Sequence, residues 1–360
     1  MVWLQARDFR NYRELEVEVG PGLTAAVGPN GQGKTNLLEA MYYLCSLVSP
    51  RVSSDLPLVR VGAESAYVRG EVEAGGSTLL IEVQVKGSGQ NRVQVNRSPV
   101  RRKRDLRRQV RGVFSGPEDL AIVQGEPVER RRFMDEAVAA HWPAKEGAAP
   151  AYERALRQRN RLLKDWDGQT AAPEDLGAWD EELVAYGSAL TRLRAQAVEA
   201  IRERAGHEFD ALAGPAGGTL FVEYRPSVEG GPLEEAFAAR LASRREDELV
   251  RRTTLVGPHR DDLALSVQQM AARGFASHGE AWGVAVALRL ALAFGVAREV
   301  GEHPMVFLDD PFSGLDPARR ARLALGLEER GQVVMAVPDR AQVPAGAAVW
   351  RVEEGRVAPE

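Results

Sequence analysis

The stretch Gly28-Pro-Asn-Gly-Gln-Gly-Lys-Thr35 decides the fold of this 360-residue chain. It fits the pattern G-x-x-x-x-G-K-[ST], follows the short apolar run LTAAV at 23–27 and opens a segment, 34–48, that has helical spacing. Glycines let the backbone curl so that successive N–H groups face phosphate oxygens, and the helix N-terminus adds positive potential. The stretch therefore predicts a nucleotide-binding loop between a buried strand and a helix.

The side chains of this loop supply the rest of the predicted chemistry. Lys34 offers a compact charge for the β- and γ-phosphates, and the Thr35 hydroxyl is placed to ligate Mg²⁺. The residues expected to contact ATP are Gly28, Pro29, Asn30, Gly31, Gln32, Gly33, Lys34, Thr35 and Asn36.

A second signal is the apolar strand 305–308 (MVFL), which ends in Asp309 and Asp310. On its own, an aspartate after a strand is as well explained by a turn or a helix cap. With the phosphate-binding loop upstream, we expect Asp309 to hold Mg²⁺ through water and Asp310 to polarise the attacking water. Lys34 and Asp310 are thus the predicted catalytic residues.

Two short motifs complete an ordered set. Ser277-His-Gly279-Glu precedes a helical segment, and Ser313-Gly-Leu-Asp316 follows the acidic pair. In this order the motifs resemble those of ABC-type ATPases. The resemblance implies that Ser277 and Gly279 touch the nucleotide bound by the other protomer, and that Ser313 and Asp316 form the D-loop.

Further blocks narrow the resemblance to the RecF family, which are SMC-like ABC ATPases without long coiled coils. The blocks, which run in order along nearly the whole chain, are FRNY (9–12), PEDL (117–120), VQGEP (123–127), RRRFMD (130–135), RQRN (157–160), LLK (162–164) and GPHRDD (257–262). The resemblance implies Arg10 and Asn11 as further ATP-site residues and a weak, DNA-stimulated ATPase. It also implies an ATP-driven homodimer that acts as a clamp on DNA, partnership with RecR, and delivery of RecA to single-strand gaps.

Several positions depart from the pattern of that family. ABC proteins usually have glycine and glutamine where this chain has His278 and Glu280, and an acidic residue is expected where Gly314 stands. The strand 332–337 (QVVMAV) is followed by proline and Asp339, so the residue that senses the γ-phosphate is not assigned. The segment 114–119 (FSGPED) is the expected place of the Gln-loop residue.

Composition and charge limit the class of protein. Hydrophobic residues make up 44% and charged residues 27%, which excludes a disordered chain, a collagen-like chain and a disulfide scaffold. No apolar run reaches the roughly 20 residues needed to span a bilayer, the start is charged without a secretory core, and Cys45 is the single cysteine. We therefore expect a cytoplasmic protein without a membrane partner.

The net charge of −4 is unevenly distributed, because residues 92–111 carry nine cations and one acid. This block is either a solvated face or a sequence-independent contact to DNA phosphates. The candidate DNA-binding residues are Arg101, Arg102, Lys103, Arg104, Arg107 and Arg108. Cations at 130–132 and 154–164 are weaker candidates. The block GPHRDD suggests either a metal or acid–base cluster or a structural turn.

The expected fold class is α/β, with an ABC-type head formed by 1–115 and 252–360 and a mostly helical second lobe at 116–251. The strands at 2–27, of which ELEVEV (14–19) alternates strictly, and those at 66–96 look like one antiparallel sheet. Helices at 151–166 and from Ala178, separated by the turn-rich stretch DGQTAAPEDLG (167–177), suggest a short hairpin. The second helix is either a coiled-coil-like seam or an ordinary bundle helix; the seam would be Trp179, Leu183, Tyr186, Leu190, Leu193, Ala197 and Ala200.

Two other functions stay open. One is the energising subunit of a membrane transporter, which would be expected to have a Gln loop, a switch histidine and about 240 residues without an inserted lobe. The other is an SMC-type structural DNA tether, which needs hundreds of heptad residues between the two halves.

Overall fold

The computed structural model describes residues 1–166, 173, 175–215 and 218–360. The strands are β1 (Trp3–Phe9), β2 (Tyr12–Glu18), β3 (Leu23–Val27), β4 (Ser65–Ala74), β5 (Ser77–Lys86), β6 (Arg92–Val95), β7 (Ser98–Pro99), β8 (Gly112–Ser115), β9 (Leu220–Arg225), β10 (Asp262–Val267), β11 (Met270–Ala271), β12 (Met305–Asp309), β13 (Val333–Val337), β14 (Ala348–Glu353) and β15 (Arg356–Pro359). The helices are α1 (Lys34–Ser46), α2 (Lys103–Arg107), α3 (Leu120–Gln124), α4 (Pro127–His141), α5 (Ala148–Asp165), α6 (Leu176–Ala213), α7 (Leu233–Arg251), α8 (Ala272–Phe275), α9 (His278–Val300) and α10 (Pro317–Leu327).

A central sheet in the order β15-β14-β3-β13-β12-β8 carries the loop and the acidic pair. All of its pairings except β14 with β15 are parallel, and β12 and β13 are buried along their whole length. Because β13 lies between β3 and β12, the residues that follow β3 and those that end β12 meet at one edge of the sheet.

A second sheet in the order β2-β1-β4-β5-β6-β7 is antiparallel, as the alternating sequence predicts. Its inner face packs with α1 on one side of the central sheet. Grouping β3 with the antiparallel strands is wrong, because β3 pairs in parallel with β13 and β14. Its four consecutive buried residues suit a sheet that is covered on both faces.

In the described part of 116–251 the chain is mostly helical, with one strand that joins it to the later sequence. This strand, β9, pairs antiparallel with β10, in a third sheet of order β11-β10-β9. A continuous apolar core links α6 and α9 to this sheet and to the central sheet. The division into two lobes at 115 and 252 stays a prediction.

The predicted hairpin is formed by α5 and α6, while the turn-rich stretch predicted between them lies mostly outside the described residues. Along α6, Leu183, Leu190 and Ala197 are buried, but Tyr186 and Ala200 are exposed. The buried face instead continues through Gly187, Arg194, Val198 and Ile201. Adjacent positions are buried together at 187–188, 190–191 and 197–198, so the buried face is wider than a two-position seam and the structure favours an ordinary bundle helix.

Among the described residues, one helix, α9, is long and apolar enough to cross a membrane by length and composition. This differs from the expectation of no such run. However, 78% of its apolar window is buried inside the protein, as in the core helix of a globular fold. Its apolar character is therefore explained by packing against α6 and the central sheet.

Candidate functional site

The loop between β3 and α1 depends on glycine at two positions. At Gly28, a Cβ atom would lie 2.1 Å from the carbonyl oxygen of Val352 on β14. Gly33 has φ of 114°, and a Cβ there would lie 2.7 Å from Asn11 Nδ2 and 2.9 Å from the Tyr12 hydroxyl. The loop is thus held closely against β14 and the start of β2.

Lys34 begins α1 and is buried at the edge of the central sheet. Its Nζ donates to the carbonyl oxygens of Gly28 at 2.6 Å and Pro29 at 2.9 Å. Burial lowers the pKa of Lys34, while Asp309 and Asp310 oppose this shift. The ammonium group therefore lies inside the curl of the loop, where phosphate oxygens would replace carbonyl oxygens as its partners.

The residues of the FRNY block support the loop from the side. The Asn11 amide donates to Gln32 O at 3.3 Å and accepts from Asn36 Nδ2 at 2.8 Å, and the Tyr12 hydroxyl donates to Gly33 O at 3.0 Å. Arg10 instead forms a bidentate pair with the buried carboxylate of Glu39, at 2.7 Å for both bonds. Asn11 therefore contacts the loop directly, whereas the guanidinium of Arg10 is paired with α1.

The structure brings Thr35 and Asp309 together, although they are 274 positions apart in sequence. The Thr35 hydroxyl lies 2.9 Å and 2.8 Å from the two carboxylate oxygens of Asp309. Burial raises the pKa of Asp309 to about 6, Glu118 adds to the rise, and the bond from Thr35 opposes it. A buried carboxylate beside a hydroxyl is a set of hard oxygen donors that fits Mg²⁺.

Asp310 stands at the turn after β12, with a left-handed φ of 49°. Its backbone N–H donates to Ala336 O at 3.0 Å, which fixes this turn to the end of β13. Burial raises the pKa of Asp310, and the nearby charges of Lys34 and Arg320 oppose the rise. Its carboxylate therefore lies near Lys34 but outside the Thr35–Asp309 pair.

A group of charged residues beside the site was not predicted from the sequence. Glu39 on α1 is fully buried, accepts from Ser49 and pairs with Arg10 and Arg51. Arg51 also donates to Asn36 Oδ1 at 3.0 Å and lies 3.8 Å from Glu118. A carboxylate such as Glu39 in an apolar helix indicates that a cationic side chain pairs with it. The sequence does not indicate which of the 47 lysines and arginines is that partner.

The segment expected to hold the Gln-loop residue leads from β8 to α3. The Asp119 carboxylate accepts from Gly116 N at 3.1 Å and from two nitrogens of Arg289 on α9, at 3.0 Å and 2.6 Å. Arg289 also donates to Glu136 on α4. This buried arginine thus joins α9 and α4 to the segment beside Asp309, and no sequence motif indicated it.

Ser277 is the N-cap of α9, and it forms a reciprocal capping box with Glu280. The Ser277 hydroxyl accepts from Glu280 N at 3.3 Å and donates to the Glu280 carboxylate at 2.7 Å. The glutamate, one of the departures from the ABC pattern, is therefore explained by its bond to the motif serine. Gly279 lies in the first turn of the same helix.

The D-loop residues follow the acidic pair toward α10. Ser313 N donates to Asp310 O at 3.1 Å, and Asp316 is the N-cap of α10, accepting from Arg319 N at 2.9 Å. At the end of β13, the carboxylate of Asp339 accepts from Ala341 N at 3.0 Å. The Asp339 carboxylate therefore caps the turn that follows β13, where the sequence leaves the residue that senses the γ-phosphate unassigned.

The basic block lies on the β6–β7 hairpin and α2. Arg101, Arg102, Lys103 and Arg108 are exposed, and Arg104 is half-buried. Arg107 is tied to the fold, because it donates to Ser46 O at 2.7 Å and to Glu146 at 3.0 Å. Of the six candidates, Arg107 thus has the least freedom to contact DNA.

The block GPHRDD and the weaker basic candidates form buried pairs that hold helices together. Asp261 accepts from Arg194 and Tyr224, and Asp262 forms a bidentate pair with Arg130. Arg159 is fully buried against Glu248, at 2.5 Å. These contacts favour the structural turn over a metal or acid–base cluster, and they leave Arg130 and Arg159 unsuited to DNA contact.

Comparisons with known proteins agree with this geometry. A family model described as the RecF/RecN/SMC N terminal domain matches residues 2–354. The DNA replication and repair protein RecF of Streptomyces avermitilis is 43% identical, over 98% of this chain and 98% of that protein. RecF of Frankia alni is 42% identical, over 94% of this chain and 93% of that protein.

Solved structures extend the similarity to the whole fold. A structure of the recombination mediator protein RecF with ATP, from the RecFOR pathway, has a TM-score of 0.89 at 26% identity and covers 99% of this chain and 96% of that one. An Smc head domain from Pyrococcus furiosus, solved with the C-terminal domain of ScpA, has a TM-score of 0.57 at 17% identity, over 100% and 96% of the two chains. The predicted SMC-like ATPase head is thereby confirmed as the fold class.

Proposed function

Because the chain belongs to the RecF family of DNA replication and repair proteins, we propose that it is an ATP-dependent DNA-binding protein of repair and replication-fork maintenance. Two chains bind ATP, close head to head on gapped or double-stranded DNA, and reopen after slow hydrolysis. The observation that carries this proposal is the contact of Thr35 with both carboxylate oxygens of Asp309, at 2.9 Å and 2.8 Å. It joins the two halves of an ATPase site across 274 residues of sequence.

In the proposed mechanism, each chain binds ATP with the loop 28–36. The inward N–H groups of the loop and Lys34 bind the phosphates, and Thr35 and Asp309 would hold Mg²⁺. When bound, Mg²⁺ would neutralise charge on the β- and γ-phosphate oxygens. Asp310 orients the attacking water and accepts its proton, a role that its raised pKa favours.

The other half of each site comes from the partner chain. Ser277 and Gly279 lie at the N-terminus of α9, a 23-residue helix whose positive end suits a phosphate. A single chain therefore binds ATP but hydrolyses it poorly. In this arrangement bound ATP holds the two heads together, and ATP hydrolysis lets them separate.

DNA binding is assigned to the exposed cations of the block 101–108. Arg101, Arg102, Lys103 and Arg108 are exposed and can release counterions from DNA phosphates. Partnership with RecR and loading of RecA are proposed only because the chain belongs to the RecF family. A solved relative with a TM-score of 0.89 is described as a recombination mediator of the RecFOR pathway, which supports this assignment.

The proposal is tested by measuring the affinity for a gapped DNA duplex by fluorescence anisotropy, with and without Mg²⁺ and ATP. We expect ATP to raise the affinity at least about 10-fold, and higher salt to weaken binding steeply. Replacing Arg101, Arg102 and Lys103 by alanine should remove most of this affinity. The matched control replaces Arg240, Arg244 and Arg251, exposed on α7, by alanine. A DNA affinity that does not change with ATP would contradict the clamp.

A further inference from the structure

Two departures from the ABC pattern, His278 and Gly314, touch each other. His278 is the first residue of α9, and Gly314 lies in the D-loop, where an acidic residue was expected. A Cβ atom built on Gly314 would lie 2.8 Å from Cδ2 and 3.2 Å from Nε2 of the His278 ring. The imidazole thus occupies the space that a side chain at position 314 would need.

The contact is reciprocal, because Gly279 faces the D-loop in turn. A Cβ atom on Gly279 would lie 2.8 Å from the carbonyl oxygen of Gly314. Gly314 itself has φ of 68°, in the left-handed region that glycine adopts at low cost. The first turn of α9 and the D-loop therefore interlock, with a bare Cα on each side.

One hydrogen bond and one close approach also join the same two segments. Trp282 on α9 donates through its indole N–H to Pro311 O at 2.9 Å, in a buried position. On the other side, Arg319 lies 3.3 Å from the Cβ position of Gly279 and pairs with Asp316. Residues 277–282 and 310–316 are therefore in contact, with the His278 and Gly314 side of the contact exposed to solvent. We term these two segments the α9–D-loop junction.

This junction links the two kinds of ATP contact within one chain. Asp310, assigned to the chain's own ATP, precedes the D-loop, and Ser277, assigned to the partner's ATP, caps α9. We propose that His278 is a positioning residue, whose ring packs over Gly314 and holds Ser277 and Gly279 in the orientation that meets the partner chain's triphosphate. This inference rests on the proposed function, because it assumes that a second chain brings ATP to Ser277.

The steric fit of the His278 ring over Gly314 explains why these two departures from the ABC pattern occur together. A glycine at position 278 would leave the D-loop uncovered on this side, and a side chain at position 314 would displace the imidazole. The residues at the two positions are thus interdependent, so their substitutions should not have additive effects.

The test is a double-mutant cycle of His278→Gly, Gly314→Asn and the two combined. Asparagine is chosen because it tolerates the left-handed conformation better than other side chains, which leaves the clash with the ring as the main effect. The dimer dissociation constant is measured by sedimentation with a non-hydrolysable ATP analogue. The affinity of the dilute monomer for a fluorescent ATP analogue is measured in parallel, and should stay within about twofold for every variant.

We expect Gly314→Asn alone to weaken dimerisation about 10-fold, and His278→Gly alone to weaken it about fivefold. In the His278→Gly background, Gly314→Asn should change the constant by less than about twofold. The chain offers a matched control in His303 and Gly331, where a histidine also covers a left-handed glycine, with Cβ 2.8 Å from the glycine Cβ position. His303 and Gly331 precede β12 and β13, at the end of these strands opposite to the acidic pair. His303→Gly and Gly331→Asn should therefore leave dimerisation unchanged.

The outcomes separate this inference from the proposed function. If Gly314→Asn has the same effect with and without His278, or if His278→Gly dimerises like the natural chain, His278 is not a positioning residue. If the natural chain itself stays monomeric with the analogue, the proposed ATP-driven dimer fails.

Discussion

At the scale of single residues, burial acts on two opposite charges at the nucleotide site. It lowers the pKa of Lys34 and raises the pKa of Asp309 to about 6, because both charged forms lose solvation. Each group therefore gains from a ligand of the opposite sign. A triphosphate suits Lys34 and a divalent cation suits Asp309, so the same burial favours the binding of Mg²⁺ and ATP together.

Lys34→Met tests the residue on which nucleotide binding depends most. Methionine keeps the length of the side chain but removes the ammonium and its charge-assisted hydrogen bonds, which are worth about 2 kcal/mol. We expect the affinity for a fluorescent ATP analogue, measured by titration, to fall at least about 30-fold. Lys164→Met, an exposed lysine on α5, is the control and should bind like the natural chain. Equal ATP affinity in both variants would contradict the assignment of the loop.

His259 provides a test of pH dependence. Its Nε2 lies 3.1 Å from Thr254 O and therefore carries the proton, so Nδ1 accepts from the Tyr152 hydroxyl at 2.6 Å. Burial lowers the pKa of His259 to about 4, from 6.5. Below pH 6.5 the unfolded chain then binds a proton that the folded chain does not, so folding stability falls as pH decreases toward 4.

His259 lowers the free energy of unfolding by an amount that approaches about 1.4 kcal/mol for each unit by which the pH falls. Urea unfolding of the natural chain and of His259→Gln, at pH 7 and at pH 5, measures it. We expect the variant to lose less stability than the natural chain over this interval. The same loss in both proteins would show that His259 titrates normally in the folded state.

The residues that could be predicted from sequence are those whose chemistry depends on neighbours in the chain. The loop 28–35 and the pair Asp309–Asp310 belong to this class, because a short motif defines both the backbone and the side chains. Glu39 and Arg289 were missed, because their partners come from distant segments that only the folded chain brings near. The role of Arg10 at the ATP site stays a prediction, and the guanidinium forms a bidentate pair with Glu39.

At the scale of secondary-structure elements, the junction of α5, α6 and α7 depends on one buried arginine. Arg159 on α5 pairs with Glu248 on α7 at 2.5 Å and with Asp180 on α6 at 2.7 Å, and its side chain is fully buried. Its third contact is with Thr254, at 2.7 Å. The arginine of the RQRN block thus holds three segments together.

Arg159→Met should destabilise the protein by about 3–5 kcal/mol, because it leaves the buried carboxylate of Glu248 without its cation. Arg157→Met is the control, since Arg157 lies two residues away in the same helix and forms only an exposed pair with Glu153. The control should cost less than about 1 kcal/mol. Urea unfolding of both variants checks this, and a similar loss for both would contradict the role of Arg159.

The sequence predicts the ends of a helix well where the apolar residues of that helix are regularly spaced. The helix predicted at 34–48 is α1, Lys34–Ser46, and Leu37, Leu38 and Met41 are among its buried residues. The seam on α6 was wrong at Tyr186 and Ala200, because α6 packs against several neighbours rather than one partner helix. The pairing of β9 with β10 across 42 positions could not be predicted, since no local pattern specifies so distant a partner.

At the scale of the whole molecule, strands from both ends of the sequence build one central sheet. The loop 28–36 and the acidic pair meet at one edge, while Ser277 caps α9 with its hydroxyl bonded to Glu280. In the proposed function, Ser277 contacts the ATP of a second copy. The proposed clamp therefore depends on dimerisation.

Ser277→Arg separates ATP binding from dimerisation. The larger charged side chain would fill the space that the partner's triphosphate needs, but it lies outside the loop that binds the chain's own ATP. We expect ATP affinity within about twofold of the natural value and a dimer weakened at least about 100-fold, consistent with the loss of a central contact. A variant that dimerises normally would remove Ser277 from the interface.

The most direct test of the central claim is sedimentation velocity of the natural chain in dilute salt, with and without Mg²⁺, ATP and gapped DNA. The account predicts monomers without ATP, and dimers with saturating ATP that become more abundant when DNA is added. Monomers alone under every one of these conditions would contradict it.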